Sequence, residues 1–264
     1  QGGADAAGLA DLETLIKGGQ VALDNVQSAV DNLSEAGDDI LFGATGVALH
    51  APRVRGGRVA CAGGNFAQHS LAMAARRVER GEANPIEGDP RDYVRNRGFW
   101  GFWKFDKESL GNDGTVPYPA RATRLDYEGE VAVVLGKQGK NLKQDQIDDF
   151  VWGVTLLGDW SIRMSPEGGP LKFAMQKNFD NSCSIGPCIV VGEVDALKID
   201  LETLVNGEVR QKSNTNDMIF DVETVVSVLS EGFTLVPGDL IATGTAEGVG
   251  FAMDPPGLMK VGDV

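Results

Sequence analysis

Leu125-Asp126-Tyr127-Glu128-Gly129-Glu130 leads without a break into Val131-Ala132-Val133-Val134-Leu135. The apolar, valine-rich second half predicts a buried strand. Side chains alternate along a strand, so Asp126, Glu128 and Glu130 are expected on one face, with Tyr127, Gly129 and Val131 on the other. Carboxylates sharing a patch beside a buried strand repel one another unless they are protonated, solvated or bridged by a cation. Hard divalent ions such as Mg²⁺ or Mn²⁺ take oxygen ligands, and a Glu-x-Glu pair plus one further carboxylate leaves positions free for water and substrate. A solvated acidic strand edge explains an isolated Glu-x-Glu equally simply.

A third acid outside this stretch tips the choice. Val151 to Leu157 is a second strand-like run, and Gly158-Asp159-Trp160-Ser161-Ile162-Arg163 puts Asp159 at its end, where a hydrophobe is expected. Further on, Phe173-Ala174-Met175-Gln176-Lys177-Asn178 sets one lysine in apolar company. Such a lysine can stabilise a developing enolate or simply extend its ammonium to water. Of the two histidines, His50 lies in a strand-like run ending at Pro52 and reads as structural. His69 follows Cys61-Ala62-Gly63-Gly64, where a strand turns through two glycines into a helix start, a setting that can present a general base to a cleft. Cys61 reads as a buried strand residue and a poor nucleophile.

Glycine and proline divide the remainder into short strands and turns. Leu204-Val205-Asn206-Gly207-Glu208-Val209 places Asn-Gly between two strand-like runs, predicting a type I′ hairpin over residues 198–211. Asp221 is positioned to cap a helix reaching Leu229, with Gly232 just past its end. Leu240 to Thr243 predicts a strand feeding the glycine-rich turn Thr243 to Gly250, which lacks the spacing of a phosphate loop. Near the start, residues 9–34 carry Leu23, Val26, Val30 and Leu33 on one helical stripe, broken by Gly18-Gly19. Residues 77–125 are an arginine- and aromatic-rich excursion, suited to cover a pocket.

The 264 residues are ample for a sizeable core. A net charge of −14 argues against nucleic-acid or anionic-membrane partners. Three cysteines are too few for a disulfide framework, so a reducing, cytoplasmic setting is expected, and no apolar run approaches the roughly 18 residues of a membrane span.

Taken in order, these segments resemble the fumarylacetoacetate hydrolase family. The resemblance runs from Cys61–His69 through Phe102-Trp103-Lys104, Asp126–Glu130, Gly158–Arg163 and Lys177–Asp180. It continues through Val205–Gln211, Ser213–Phe220 and Thr243-Gly244-Thr245 with Gly248-Val249-Gly250. It implies an α+β, mostly β fold, a mixed β-sandwich or β-roll of that family's C-terminal domain type. Residues 1–55 would form a small, partly helical N-terminal region, and residues 56–264 a catalytic domain that stops before the family's last strand. It further implies Glu128, Glu130 and Asp159 as ligands of Mg²⁺ or Mn²⁺, His69 as the base and Lys177 beside the metal. Thr245, Arg163 and Lys104 would be substrate contacts, and the assembly a homodimer.

The implied activity is cleavage of a C–C bond in a 2,4-dioxo acid to pyruvate and a carboxylic acid. Alternatives are a tautomerase, decarboxylase or hydratase acting on a 2-oxo dicarboxylate, or a non-catalytic binder of a metal and an organic acid. The sequence departs from the family pattern at Ala72, where many relatives carry a glutamate that orients the histidine. It departs also at Gly158, at Ala246 and over Met164–Gly169. Glu79, Glu82 and Glu87 are the nearby replacements for the missing glutamate.

Overall fold

The computed structural model describes residues 11–32, 43, 46–79, 81, 85–105, 108–164, 172–192, 195–196 and 198–264. Asp11 caps the first helix, α1 (Leu12–Lys17), by accepting from the Thr14 amide at 2.7 Å. Gly19, at φ +56°, then redirects the chain into α2 (Gly19–Asp31), so the glycine pair breaks the helical stripe as its spacing predicts. Residues 9–10 and 33–34 of that stripe lie outside the described residues.

The body follows as β1 (Val59–Ala62), α3 (Ala67–Glu79), α4 (Pro90–Arg97), β2 (Gly101–Lys104), β3 (Arg124–Asp126) and β4 (Gly129–Leu135). Next come β5 (Val151–Asp159), β6 (Ser161–Met164), α5 (Phe173–Lys177) and β7 (Cys183–Val191). The last are β8 (Asp200–Val205), β9 (Glu208–Asn214), α6 (Val222–Gly232) and β10 (Leu240–Ala242).

Six strands form one mixed sheet in the order β2-β1-β10-β4-β5-β7, with β1 and β10 parallel and the other neighbours antiparallel. Both faces of this sheet are covered, which is why β1, β4 and β10 read as unbroken apolar runs. Ala60, Val133, Leu135 and Ile241 face Val222, Val225, Val226 and Leu229 of α6. The alternate residues Val59, Ala132, Val134 and Leu240 pack with Ile16 of α1, Val54, Leu157 and Ile185. Two-stranded ladders, β3 with β6 and β8 with β9, flank the sheet. Asn206 and Gly207 turn the second ladder at φ +53° and +82°, the left-handed pair that a type I′ turn requires.

Three expectations change. Residues 125–130 do not form one strand: the chain leaves β3 at Asp126 and begins β4 at Gly129. The break is enforced by Asp126, whose carboxylate accepts from the backbone amides of Gly250 and Phe251 at 2.7 and 3.2 Å. Asp126 therefore does not join Glu128 and Glu130 on one face. The run around His50 is irregular and His50 is exposed, and α6 includes Gly232 instead of ending before it.

Gly248 holds the last turn against β9. It lies at φ +96°, and a Cβ there would collide with the Arg210 carbonyl oxygen. Its own carbonyl accepts from the Tyr127 hydroxyl at 2.9 Å. Gly248→Ala is accordingly expected to lower stability by about 2–4 kcal/mol, read from the denaturant midpoint. An unmoved midpoint would show that the turn relaxes freely.

Candidate active site

The antiparallel register of β4 and β5 brings the acids together. Gly129 lies opposite Gly158, so Asp159, at the end of β5, reaches the start of β4 and donates its amide to the Glu128 carbonyl at 2.8 Å. Ligand oxygens of Glu128, Glu130 and Asp159 all lie within 4.8 Å of one another, and all three residues are buried.

Three buried cations hold this group. Lys177, the last residue of α5, donates to Glu128 Oε2 at 2.5 Å and to Asp159 Oδ2 at 2.6 Å. Lys104, the last residue of β2, donates to Asp159 Oδ1 at 2.6 Å and to the Trp160 carbonyl at 3.3 Å. Arg163 of β6 donates from Nε to Asp126 Oδ2 at 2.8 Å and from Nη2 to Glu128 Oε1 at 2.5 Å. Among the described residues Glu130 forms no ion pair: its Oε2 accepts from the Gly244 amide at 2.9 Å.

The electrostatics follow from this pairing. Burial and the neighbouring Asp159 and Glu128 charges push the Glu130 carboxyl well above the usual range. Glu128 is buried too, yet Lys177 and Arg163 hold it far below. Burial alone would depress Lys177, but Asp159 and Glu128 keep its ammonium charged. Four buried acids, counting Asp126, thus face three buried cations, and Glu130 is the acid without an ion-pair partner among the described residues. An acid-rich oxygen cluster with one carboxylate unneutralised fits a hard divalent cation, and Lys177 now bridges two of the three acids.

His69 sits in the first turn of α3, buried, with its Nδ1 making no hydrogen bond. Burial, with help from Arg163 and Lys177, lowers its pKa to about 4, so the imidazole is neutral near pH 7. No glutamate among the described residues takes the expected orienting place beside His69. Glu79 instead pairs with Arg76 at 2.9 Å, Glu87 is exposed, and Glu82 and residues 165–169 lie outside the described residues. The Thr245 hydroxyl donates to the Gly129 carbonyl at 3.0 Å and accepts from Gln211 at 2.8 Å.

One cavity of about 210 Å³ is lined by His69, the three acids, Arg163, Lys177 and Thr245 together. Lys104 does not line it. Its side chain is wholly buried behind Asp159, which corrects the expectation of a substrate contact to that of a support. Cys61 is buried within β1, and its thiol is pushed well up by burial and by Asp159 and Glu130, as its strand setting predicts.

One residue escaped the sequence reading, and two arginines of the stretch expected to cover a pocket are found in the cavity wall. Asn65 ties the β1–α3 turn to the C-terminal segment, donating to the Phe220 and Thr243 carbonyls at 2.9 and 2.8 Å. Arg77 and Arg97 form part of the cavity wall. For Arg77 the signal was available, because it stands eight residues after His69 and therefore on nearly the same face of one helix.

A mixed sheet whose strands deliver three buried acids to one cavity, with a lysine from α5 and a neutral histidine from α3, defines a class of small-molecule site built around a candidate metal centre. Residues 58–264 match the Fumarylacetoacetate (FAA) hydrolase C-terminal family, and the chain belongs to it. Its relatives include oxaloacetate tautomerase fahd2 of Xenopus laevis, 32% identical with 93% of this chain and 71% of that protein covered. Oxaloacetate tautomerase YisK of Bacillus subtilis is 34% identical over 84% of this chain and 70% of that one. Among solved structures, fumarylacetoacetate hydrolase from Exiguobacterium antarcticum superposes with a TM-score of 0.71 at 28% identity, covering 96% of this chain and 82% of that one. Matches span about two thirds of the length of the first curated relatives, 65% in one from Methanocaldococcus jannaschii. No helix among the described residues is long and apolar enough to cross a membrane.

Proposed function

We propose that the protein is a divalent-metal-dependent enzyme that interconverts the keto and enol forms of a 2-oxo acid. The observation that carries this reading is His69: a neutral imidazole, unpartnered at Nδ1, in the same cavity as the acid triad and Lys177. Glu128, Glu130 and Asp159 would hold Mg²⁺ or Mn²⁺. When bound, that ion supplies Lewis acidity and a fixed orientation to the carboxylate and 2-oxo group of the substrate.

The chain's own residues account for the rest. His69 takes the proton from C3 of the keto form, leaving an enolate and an imidazolium, and that proton is then delivered to the 2-oxo oxygen to complete the enol; the reverse path runs the same two transfers backward, a task for which an imidazole neutral at working pH is suited. Lys177, kept charged by its two carboxylates, faces the negative charge that develops on the 2-oxo oxygen. Arg163 and Lys104 hold Glu128 and Asp159 from behind, so neither acid needs to reorganise as substrate arrives. Proton transfer at one carbon asks less of His69 than activating water does, and Ala72 leaves the imidazole without a polarising acid one turn away. Two relatives named oxaloacetate tautomerases support the same reading.

The second reading is hydrolysis of a 2,4-dioxo acid, in which His69 deprotonates water for attack on C4 and C3–C4 cleavage yields pyruvate and a carboxylic acid. It is favoured by the likeness to a fumarylacetoacetate hydrolase structure. The decisive experiment follows the ultraviolet signal of enol-oxaloacetate and of an acylpyruvate with protein and Mg²⁺, then with chelator, and weighs the products by mass spectrometry. Faster equilibration at constant mass, abolished by chelator, is the expected result. Chelator-sensitive cleavage of the acylpyruvate would replace tautomerisation with hydrolysis.

The partner proposed is a second copy of the chain. Leu156 and Leu204, 43% and 50% exposed, line one surface groove between β5 and β8 and suit a homodimer contact. Light scattering at the mass of one chain would exclude it.

A further inference from the structure

Three hydrogen bonds close a ring around Gly129, the residue between the acids Glu128 and Glu130. The Gly129 amide donates to Gln211 Oε1 at 2.9 Å. Gln211 Nε2 donates to the Thr245 hydroxyl oxygen at 2.8 Å and to the Ala246 carbonyl at 3.0 Å. The Thr245 hydroxyl donates in turn to the Gly129 carbonyl at 3.0 Å. Gln211 is a buried residue of β9, so it reaches this ring from the hairpin that flanks the six-stranded sheet. The approach is close: a Cβ on Gly129 would collide with the Thr203 hydroxyl of β8 and touch Gln211 Oε1.

The directions within the ring are fixed by its backbone members. A backbone amide only donates and a carbonyl only accepts, so Gly129 and Ala246 determine which end of the Gln211 amide is oxygen and which is nitrogen. Both Gln211 amide hydrogens are then committed, and the Thr245 oxygen receives one of them. The single hydrogen of the Thr245 hydroxyl goes to the Gly129 carbonyl. What this hydroxyl has left for the cavity that Thr245 lines is a lone pair. An oxygen in that state repels a carboxylate and attracts a hydrogen-bond donor.

We infer that Thr245 accepts a hydrogen bond from the substrate, and that Gln211 is the positioning residue that imposes this direction. The inference rests on the tautomerase reading for the identity of the donor, which is the hydroxyl on C2 of the enol. The keto form carries no hydrogen there. Thr245 is thus a specificity-determining contact that favours the bound enol over the bound keto form.

The test measures KM for keto- and enol-oxaloacetate separately, from initial rates in the two directions with Mg²⁺. Thr245→Val keeps the shape of the side chain and removes the acceptor. It is expected to raise KM for the enol about 3- to 10-fold, the worth of one hydrogen bond, with KM for the keto form unmoved. Thr245→Ser, which keeps the hydroxyl, should restore the wild-type ratio of the two constants. Gln211→Met leaves the hydroxyl in place without the group that directs it, and should reproduce the rise on the enol side. The ratio does not depend on the fraction of molecules folded, so a merely structural role for Gln211 would not move it. Equal changes for the two tautomers in Thr245→Val would assign the hydroxyl to the carboxylate that both carry and overturn the inference. No change in Thr245→Val, or the same enol-side rise in Thr245→Ser, would overturn it as well, and a wild-type ratio in Gln211→Met would remove Gln211 from it.

Should the wild type interconvert neither tautomer, calorimetric titration of the Mg²⁺-loaded protein with glycolate and methoxyacetate decides separately. Each probe offers a carboxylate and a second oxygen, and glycolate alone has a hydrogen to donate from that oxygen. A glycolate-to-methoxyacetate affinity ratio that falls about 3- to 10-fold in Thr245→Val would uphold the acceptor and sink the tautomerase reading alone. A ratio that Thr245→Val leaves unchanged would overturn the acceptor.

Discussion

Glu130→Gln is expected to weaken Mg²⁺ or Mn²⁺ binding more than 100-fold while leaving the protein folded and, without metal, more stable than the wild type. Among the described residues Glu130 is the acid of the triad without an ion pair, and burial and its neighbours Asp159 and Glu128 raise the cost of its charge. The amide oxygen of glutamine can still accept from the Gly244 amide, so the local packing is kept and only the charge is lost. Changes to groups that merely support metal ligands cost about 10- to 100-fold, and removing a charged ligand should exceed this.

The stability half of this prediction has a definite pH dependence. A carboxyl raised in the folded state above its ordinary value of 4.5 takes stability away as pH rises from 4.5 to the folded value, after which the loss is constant. The metal-free wild type should therefore lose stability across that window, and the variant should lose less. Mn²⁺ titration followed by electron paramagnetic resonance, with thermal melts at several pH values, reads both effects. Wild-type Mn²⁺ affinity in the variant would move the metal centre away from Glu130.

His69→Ala is expected to lower kcat by about 10² to 10⁴ with divalent binding intact. The imidazole makes no hydrogen bond at Nδ1, so its removal leaves no buried partner stranded, and the loss should appear in turnover and not in the melting temperature. His69 donates to none of the three acids, which explains why metal affinity should survive. Turnover at the wild-type rate would transfer the base role to another residue, and loss of metal binding would make His69 part of the metal centre instead.

The sheet and the hairpin were legible because their signals are local. The Asn206-Gly207 turn, the valine runs of β4 and β5 and the Asp221 cap each depend on a few adjacent residues. Glu128, Glu130, Asp159, Lys177 and His69 were legible through resemblance, and the structure brings them to one cavity. Asp126 misled because alternation assumes an unbroken strand, and the contacts that break it come from Gly250 and Phe251, more than a hundred residues away. Lys104 was expected to touch substrate, whereas its side chain lies buried against Asp159; that placement depends on the pairing of β2 with β1, which a single strand does not reveal. Arg77 stood at a readable spacing, whereas Arg97 reaches the same wall from a separate helix.

The place of β10 has a consequence for how the molecule is made. It lies between β1 and β4, so of the six strands of this sheet the one latest in sequence is inserted at its centre. While the chain is emerging from the ribosome, β1 and β4 each have an unpaired, strongly apolar edge and Glu130 lacks the Gly244 amide that holds it. Until residues 240–244 have been made, the candidate metal site lacks the amide that Glu130 accepts from. Sequence separations near 180 residues in the β1–β10 ladder make that closure slow, and the open edges meanwhile are surfaces that chaperones or other nascent chains can reach.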